Sequence, residues 1–335
     1  MIDIIKKQWF VILIALIFIG FSIFCIYDTN KGKLPGKSVD GKDVVVSLEK
    51  ENITADELYD EMYKTYGDSV LMNQFNNAVI DEAVKTTDEL KETAKQIRTN
   101  VETNAQNYAS SYQMSSEEYI TTMLKQQGYE YEQLDDFCLL AAKMQKMQND
   151  YIDKNFDSLF DDYYKEKQPR TVSHILIKVA DVNNPTEEEQ KQIDAVNKEL
   201  KEGKSFEEVA KKYSADGSAE NGGSLGLMDK DTQYVESFKK AALGLKSNET
   251  SEWVKESNEN YSGWHLIKAG KTTKEEIKEE IKKNKDLKDQ LYYNIANYHT
   301  DITNKMIKEA MENLDIKYSS DDIKKMIDES LNSEN

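Results

Sequence analysis

The sequence predicts an α+β protein: a transmembrane helix at the N-terminus, a mainly helical domain formed by N- and C-terminal segments, and an inserted βααβαββ domain. Three observations predict it. A long uncharged stretch opens the chain. Proline-free, helix-periodic sequence fills residues 54–166 and returns after 273. Between them lies a stretch of β-branched runs, capping signals and a glycine-rich loop.

Residues 9–27, WFVILIALIFIGFSIFCIY, carry no charge over nineteen positions. At ~1.5 Å per residue they match a bilayer's ~30 Å hydrocarbon core. Lys6 and Lys7 precede the span, and Trp9 and Tyr27 stand where interfacial aromatics are expected. A cleaved signal would normally be shorter, and no small-x-small site follows. Lipidation of Cys25 is disfavoured by the bulky Phe24 before it. Segment 1–28 is therefore expected to be a cytoplasmic tail and signal-anchor, with a single pass through the cell membrane and the body on the extracytoplasmic side. Lys31, Lys33 and Lys37 after the span make the positive-inside count nearly even.

Segment 29–168 is expected to hold a tether and a helical domain. Residues 28–42 suit the tether, and DVVVSL at 43–48 reads as a strand. Thr54 with Glu57 and Ser115 with Glu118 form capping boxes. Leu134, Phe137, Leu140, Ala141 and Met144 form an apolar stripe, in which Met144 and Met147 read as core.

Segment 169–271 opens after Gln168–Pro169 with RTVSHILIKVA, a buried strand. Thr186 with Glu189 caps a helix ending at Gly203, and Ser205 with Glu208 caps a second. The loop SADGSAENGGSLG follows, then a helix near 234–243, a strand around Glu252–Val254, a turn at 257–260 and a strand at 263–268. Segment 272–335 alternates Lys and Glu around Ile277, Ile281, Leu287, Leu291 and Ile295. Some sixty residues bury too little surface alone, so these helices are expected to pack back onto the N-terminal ones.

Composition narrows the function. With 44 Lys plus Arg against 62 Asp plus Glu, the net charge is −18, which argues against nucleic acid as a partner. The two cysteines, Cys25 and Cys138, give neither a disulfide framework nor a metal site, and no cofactor motif is present. Two of the three histidines, His174 and His265, lie in similar apolar strands at opposite ends of the inserted domain. Neutral imidazoles can hydrogen-bond through one nitrogen while the other finds a second partner.

SHILIK, SFEEVAKKYS, NGGSLG, FKKAALGL and SGWHLIK, in this order and spacing, resemble the parvulin-type prolyl isomerases. The resemblance implies that His174 and His265 form the paired histidines of the pocket. It places Asp216 facing the prolyl bond and Ser262 in the same hydrogen-bond network, as catalytic residues. Phe238 would hold the proline ring, with Leu225, Met228 and Tyr234 as further substrate-binding wall. Tyr234 stands where the family usually has Met, in a loop one residue longer, and Ser224 replaces a common Asp. The chain lacks the basic cluster that phosphate-directed relatives carry after the first strand, having DVNNPTEEE there. DVVVSL with ITADELYDEMYKTYG, and the ending NLDIKYSSDDIKKMI, are similar to the terminal pieces of PrsA-type foldases, whose helical SurA/PrsA-like segments form one chaperone domain.

The implied partners are unfolded or newly secreted polypeptides containing proline, and a bilayer through residues 9–27; a homodimer is compatible. The alternative is a non-catalytic holdase that keeps the fold for client binding. GGSLG at 222–226 also matches G-x-S-x-G, with Asp229 and His265 following, but lacks the strand–elbow–helix context of a serine hydrolase. MDKDTQYVE hints at a calcium loop without the glycine such loops need.

Overall fold

The computed structural model describes residues 37–39, 41–48, 51–257 and 262–333. The expected membrane span at 9–27, Cys25 and most of the turn at 257–260 lie outside them. Among the described residues no helix is long and apolar enough to cross a membrane. The chain divides into two compact units between Phe75 and Asn76.

The described residues of the first unit open with an antiparallel sheet in the order β1 (Lys37–Val39), β2 (Lys42–Ser47), β3 (Asn52–Thr54). The DVVVSL strand is β2. The last residues of the expected tether pair as β1: Gly41, at φ +78°, reverses the chain between Val39 and Lys42. Thr54 and Glu57 then start α1 (Ala55–Ala83) as the expected capping box.

The second unit contains α2 (Asp88–Tyr108), α3 (Ser116–Gln126), α4 (Leu134–Lys154) and α5 (Phe156–Lys167). The Ser115–Glu118 box caps α3. The α4 stripe is displaced from expectation. Its buried seam is Leu134, Cys138 and Ala142, packed with Leu90, Ala94 and Ala105 of α2, while Met144 is 37% exposed. Small side chains let two helices approach closely, so they make the seam, and the larger Phe137 and Leu140 are half-buried beside it. Lys143, buried at 4% exposure, donates to Asp81 Oδ1 at 2.6 Å and ties α4 to the end of α1.

The inserted segment forms β4 (Arg170–Lys178), α6 (Glu187–Lys201), α7 (Phe206–Tyr213), β5 (Ser224–Met228), α8 (Glu236–Gly244), β6 (Val254–Ser257) and β7 (Ser262–Ala269). The order βααβαββ is the expected one, with β6 starting two residues later than the sequence suggested. All pairs are antiparallel in the order β5-β4-β7-β6. Side chains alternate across a strand, so the central pair serves two layers. Ile175, Ile177 and Leu266 face Ile193, Val196 and Val209 of α6 and α7. On the opposite face Val172 and Ile267 pack with Met228 and with Phe238 and Ala242 of α8. Arg170 anchors that helix: its buried guanidinium donates to the carbonyls of Ala242 and Leu243, both at 2.9 Å, satisfying groups a helix end leaves open.

The C-terminal segment folds as α9 (Lys274–Ile281), α10 (Lys285–Tyr298), α11 (Ile302–Met311) and α12 (Asp321–Asn332). Ile277, Ile281, Leu287, Leu291 and Ile295 share one core with Ile152 of α4 and Phe160 and Tyr163 of α5, so these helices do pack on earlier ones. Leu227 of β5 enters the same core, and its N–H donates to Gln290 Oε1 of α10 at 2.9 Å. The edge strand of the inserted sheet is thereby covered.

Gly223 sets the junction of β4 and β5. Its φ is +79°, its carbonyl accepts the His174 N–H at 2.8 Å, and a Cβ there would stand 2.2 Å from the His174 carbonyl oxygen. Gly223→Ala is expected to cost roughly 2–4 kcal/mol, combining left-handed strain with overpacking. Urea unfolding would measure it beside Gly244→Ala, where a Cβ meets nothing within 4 Å and little change is expected.

Candidate active site

His174 points from the same face of β4 as Leu176 and Lys178, because that face is occupied by every second residue. Leu176 pairs with His265 across the β4–β7 ladder, which sets the two histidines diagonally on one face. They are 5% and 6% exposed, their Nδ1 atoms lie 3.1 Å apart, and their ring planes differ by 15°.

A third segment is strapped to β4 beside them. Ala215 N–H donates to the Leu176 carbonyl at 2.8 Å, and Leu176 N–H donates to Ser214 Oγ at 3.0 Å. Asp216 follows at the head of a short 3-10 turn, Gly217–Asn221, and accepts the Ser218 N–H at 2.8 Å. Its Oδ1 lies 3.1 Å from His174 Nε2, off the N–H direction, so the contact is electrostatic more than a straight hydrogen bond. When both rings are neutral this carboxylate favours a proton on His174 Nε2. His174 Nδ1 is then the acceptor, and His265 Nδ1–H the donor.

Aromatic rings close the site. Phe238 of α8 stands edge-on to His174 and His265, with centroids 5.8 and 5.6 Å away, and Tyr234 is edge-on to Phe238 at 5.1 Å. The resulting open cavity holds about 580 Å³. Burial and the adjacent His174 depress the His265 ring to about 4, against smaller opposing effects of Glu256 and Asp216. For Asp216, burial would raise the carboxyl, but hydrogen bonds from Ser218 and the close His174 ring outweigh it and hold it at about 2. The site thus offers apolar walls, a floor of paired imidazoles of which His265 is held neutral, and a fixed carboxylate at its side.

Of the residues expected from sequence, His174, Asp216, His265, Leu225, Tyr234 and Phe238 line this cavity together. Met228 does not: it is fully buried behind Phe238, supporting the wall from within. Ser262 lies elsewhere. Three residues from His265 on a strand means the opposite face and about 10 Å along it, and its hydroxyl pairs with Ser257 Oγ at 2.8 Å across the β6–β7 hairpin. Sequence reasoning missed Leu176 and Lys178, which the alternation from His174 would have indicated, and Gln233 and Val235, neighbours of Tyr234.

The competing motifs resolve as structure. Ser224 begins strand β5 and no helix follows it directly, so there is no nucleophile elbow. Asp229 is engaged by Tyr163, by Thr232 and by the N–H groups of Asp231 and Thr232. His299 closes α10, with Nε2 2.9 Å from the Leu159 carbonyl oxygen. Among the described residues no cluster of His, Cys, Asp and Glu could hold a metal ion.

Residues 174–271 match the rotamase family, described as the PPIC-type PPIase domain. Over 304 residues the chain is 30% identical to foldase protein PrsA of Bacillus subtilis, covering 90% of this chain and 92% of the relative. It is 32% identical over 257 residues to foldase protein PrsA of Geobacillus kaustophilus, covering 74% of this chain and 80% of that one. The crystal structure of PrsA from Bacillus subtilis aligns over 86% of this chain and 98% of its own, at 30% identity and a TM-score of 0.49. The chain belongs to the PrsA foldase family and is a peptidyl-prolyl cis-trans isomerase of the parvulin type.

Proposed function

We propose that the chain is a membrane-anchored extracytoplasmic foldase that isomerises Xaa-Pro bonds of newly secreted polypeptides in the cavity between β4, β7 and α8. The observation that carries the catalytic part is the convergence of His174, His265, Asp216 and Phe238 on one open, largely apolar cavity.

Prolyl isomerisation needs no bond to the enzyme. The obstacle is amide resonance, worth a barrier of about 18–20 kcal/mol, which is lost as the C–N bond twists. A cavity that holds the ring while leaving the preceding carbonyl free to rotate lowers the barrier if it binds the twisted amide better than the planar one. Phe238, Tyr234 and Leu225 provide the apolar cradle. A planar amide carries more negative charge on its oxygen than a twisted one. The charged Asp216 beside the cavity would therefore disfavour the planar form. The neutral His265 ring at the floor can take part in hydrogen bonding without adding a charge that would pin the planar state.

The anchor rests on the nineteen uncharged residues at 9–27. With that span in the bilayer, the body that follows it lies outside the cytoplasm, where unfolded secreted chains emerge and where an acidic body stays dispersed.

Protease-coupled isomerisation of Ala-Xaa-Pro-Phe peptides by the full chain tests the catalytic reading. Asp216→Ala and His174→Ala are each expected to lower kcat/KM about 10- to 100-fold, equivalent to ~1.4–2.8 kcal/mol of transition-state stabilisation. A folded wild type that gives no acceleration would leave a non-catalytic holdase as the better account. For the anchor, the chain should stay with membranes through alkaline carbonate and leave only with detergent, whereas removal of residues 1–28 should release it. Release of the intact chain by carbonate alone would refute anchoring.

A further inference from the structure

Part of the isomerase pocket's wall is braced from outside the segment that resembles isomerases. Tyr234 and Val235, both facing the cavity, are reached through the loop 229–233 that follows β5. That loop is organised around Asp229, which is 7% exposed. Asp229 Oδ1 accepts the N–H groups of Asp231 and Thr232, both at 2.9 Å, and the Thr232 hydroxyl at 3.0 Å. The Thr232 carbonyl in turn accepts the Tyr234 N–H at 2.8 Å.

Asp229 is itself held by α5. Its Oδ2 accepts the hydroxyl of Tyr163 at 2.6 Å, and Tyr163 is 1% exposed. The next two residues are held as well: the Lys167 carbonyl accepts the Lys230 N–H at 3.0 Å, and Lys167 Nζ lies 2.7 Å from Asp231 Oδ2. The ring of Tyr163 packs in the helical core, where phenylalanine would serve as well; only the hydroxyl reaches the loop.

We infer that Tyr163, seconded by Lys167, is a positioning residue for the isomerase: through Asp229 and Thr232 it fixes the loop that places Tyr234 against Phe238. The inference rests on the reading of this cavity as the substrate site. A wall that shifts by a fraction of an ångström loses contacts with the bound ring, because dispersion falls steeply with distance. The effect belongs to binding of both ground and transition states, so it appears in KM and leaves kcat nearly unchanged.

The experiment uses the full chain and an Ala-Xaa-Pro-Phe peptide, with kcat and KM resolved and thermal unfolding run beside them. Tyr163→Phe is expected to raise KM roughly three- to tenfold, the worth of one net hydrogen bond, with kcat within about twofold. Asp229→Asn should do the same, and Tyr163→Phe should add nothing in that background. Unchanged KM in a folded Tyr163→Phe protein overturns the inference. So does a loss confined to the concentration of active protein, which marks a purely structural role. If Tyr163→Phe fails to fold, Lys167→Met decides: a rise of about twofold in KM supports the inference and no rise overturns it. Titration of the same peptide by NMR gives Kd without turnover. Binding without acceleration by the wild type therefore counts against the isomerase reading alone, and the Kd of Tyr163→Phe still tests the wall.

Discussion

Everything at the working end of this molecule is arranged around two imidazoles that meet nitrogen to nitrogen in the middle of an antiparallel sheet. Such a contact needs one ring to donate and the other to accept, so at least one ring must be neutral. The β4–β7 register places the rings diagonally, Gly223 lets the neighbouring strand come within a hydrogen bond of the His174 backbone, and Asp216 biases which nitrogen of His174 carries the proton. The contact also links the pocket to stability. The unfolded chain protonates this His265 ring near its ordinary 6.5, the folded chain only near 4. Stability tied to the neutral ring is thus complete above about pH 6.5 and drains away as the pH falls towards 4.

The helical segments around the inserted sheet are more than a bracket. Leu227 belongs to the core formed by α5, α9 and α10, Gln290 satisfies the edge strand, and Tyr163 and Lys167 hold the loop beyond it. A wall of the cavity is thereby built into the packing of helices drawn from both ends of the chain. The first unit carries a different feature: Tyr59, Met62 and Tyr66 on α1 are each more than half exposed, spaced to share one side of the helix.

Much of the site was legible in the sequence because its parts are local. The strand motifs containing His174 and His265, the glycine loop after Asp216 and the helix carrying Phe238 each announce their own conformation, and alternation brings them together. What was misplaced depended on packing that no local pattern encodes. Ser262 is near His265 along the chain but on the other face of the sheet, and Met228 looks like a wall residue until α8 covers it. The α4 seam ran through Cys138 and Ala142, since close helix approach selects small side chains over large apolar ones. β1 was hidden in a polar stretch because a strand of three residues is too short to show an alternating pattern. Tyr163 lies 66 residues from its partner Asp229, a separation at which a lone tyrosine in a helix gives no signal.

The claim on which the account turns is that the floor of the cavity holds a neutral His265 ring in nitrogen-to-nitrogen contact with His174. Ring-nitrogen NMR of histidine-labelled protein, followed between about pH 4 and 8, addresses it directly. The account predicts that the His265 ring stays neutral down to about 4, and that while both rings are neutral its Nδ1 carries the proton in a single tautomer. A His265 ring that titrates at its ordinary 6.5, or that exchanges freely between tautomers, would contradict it.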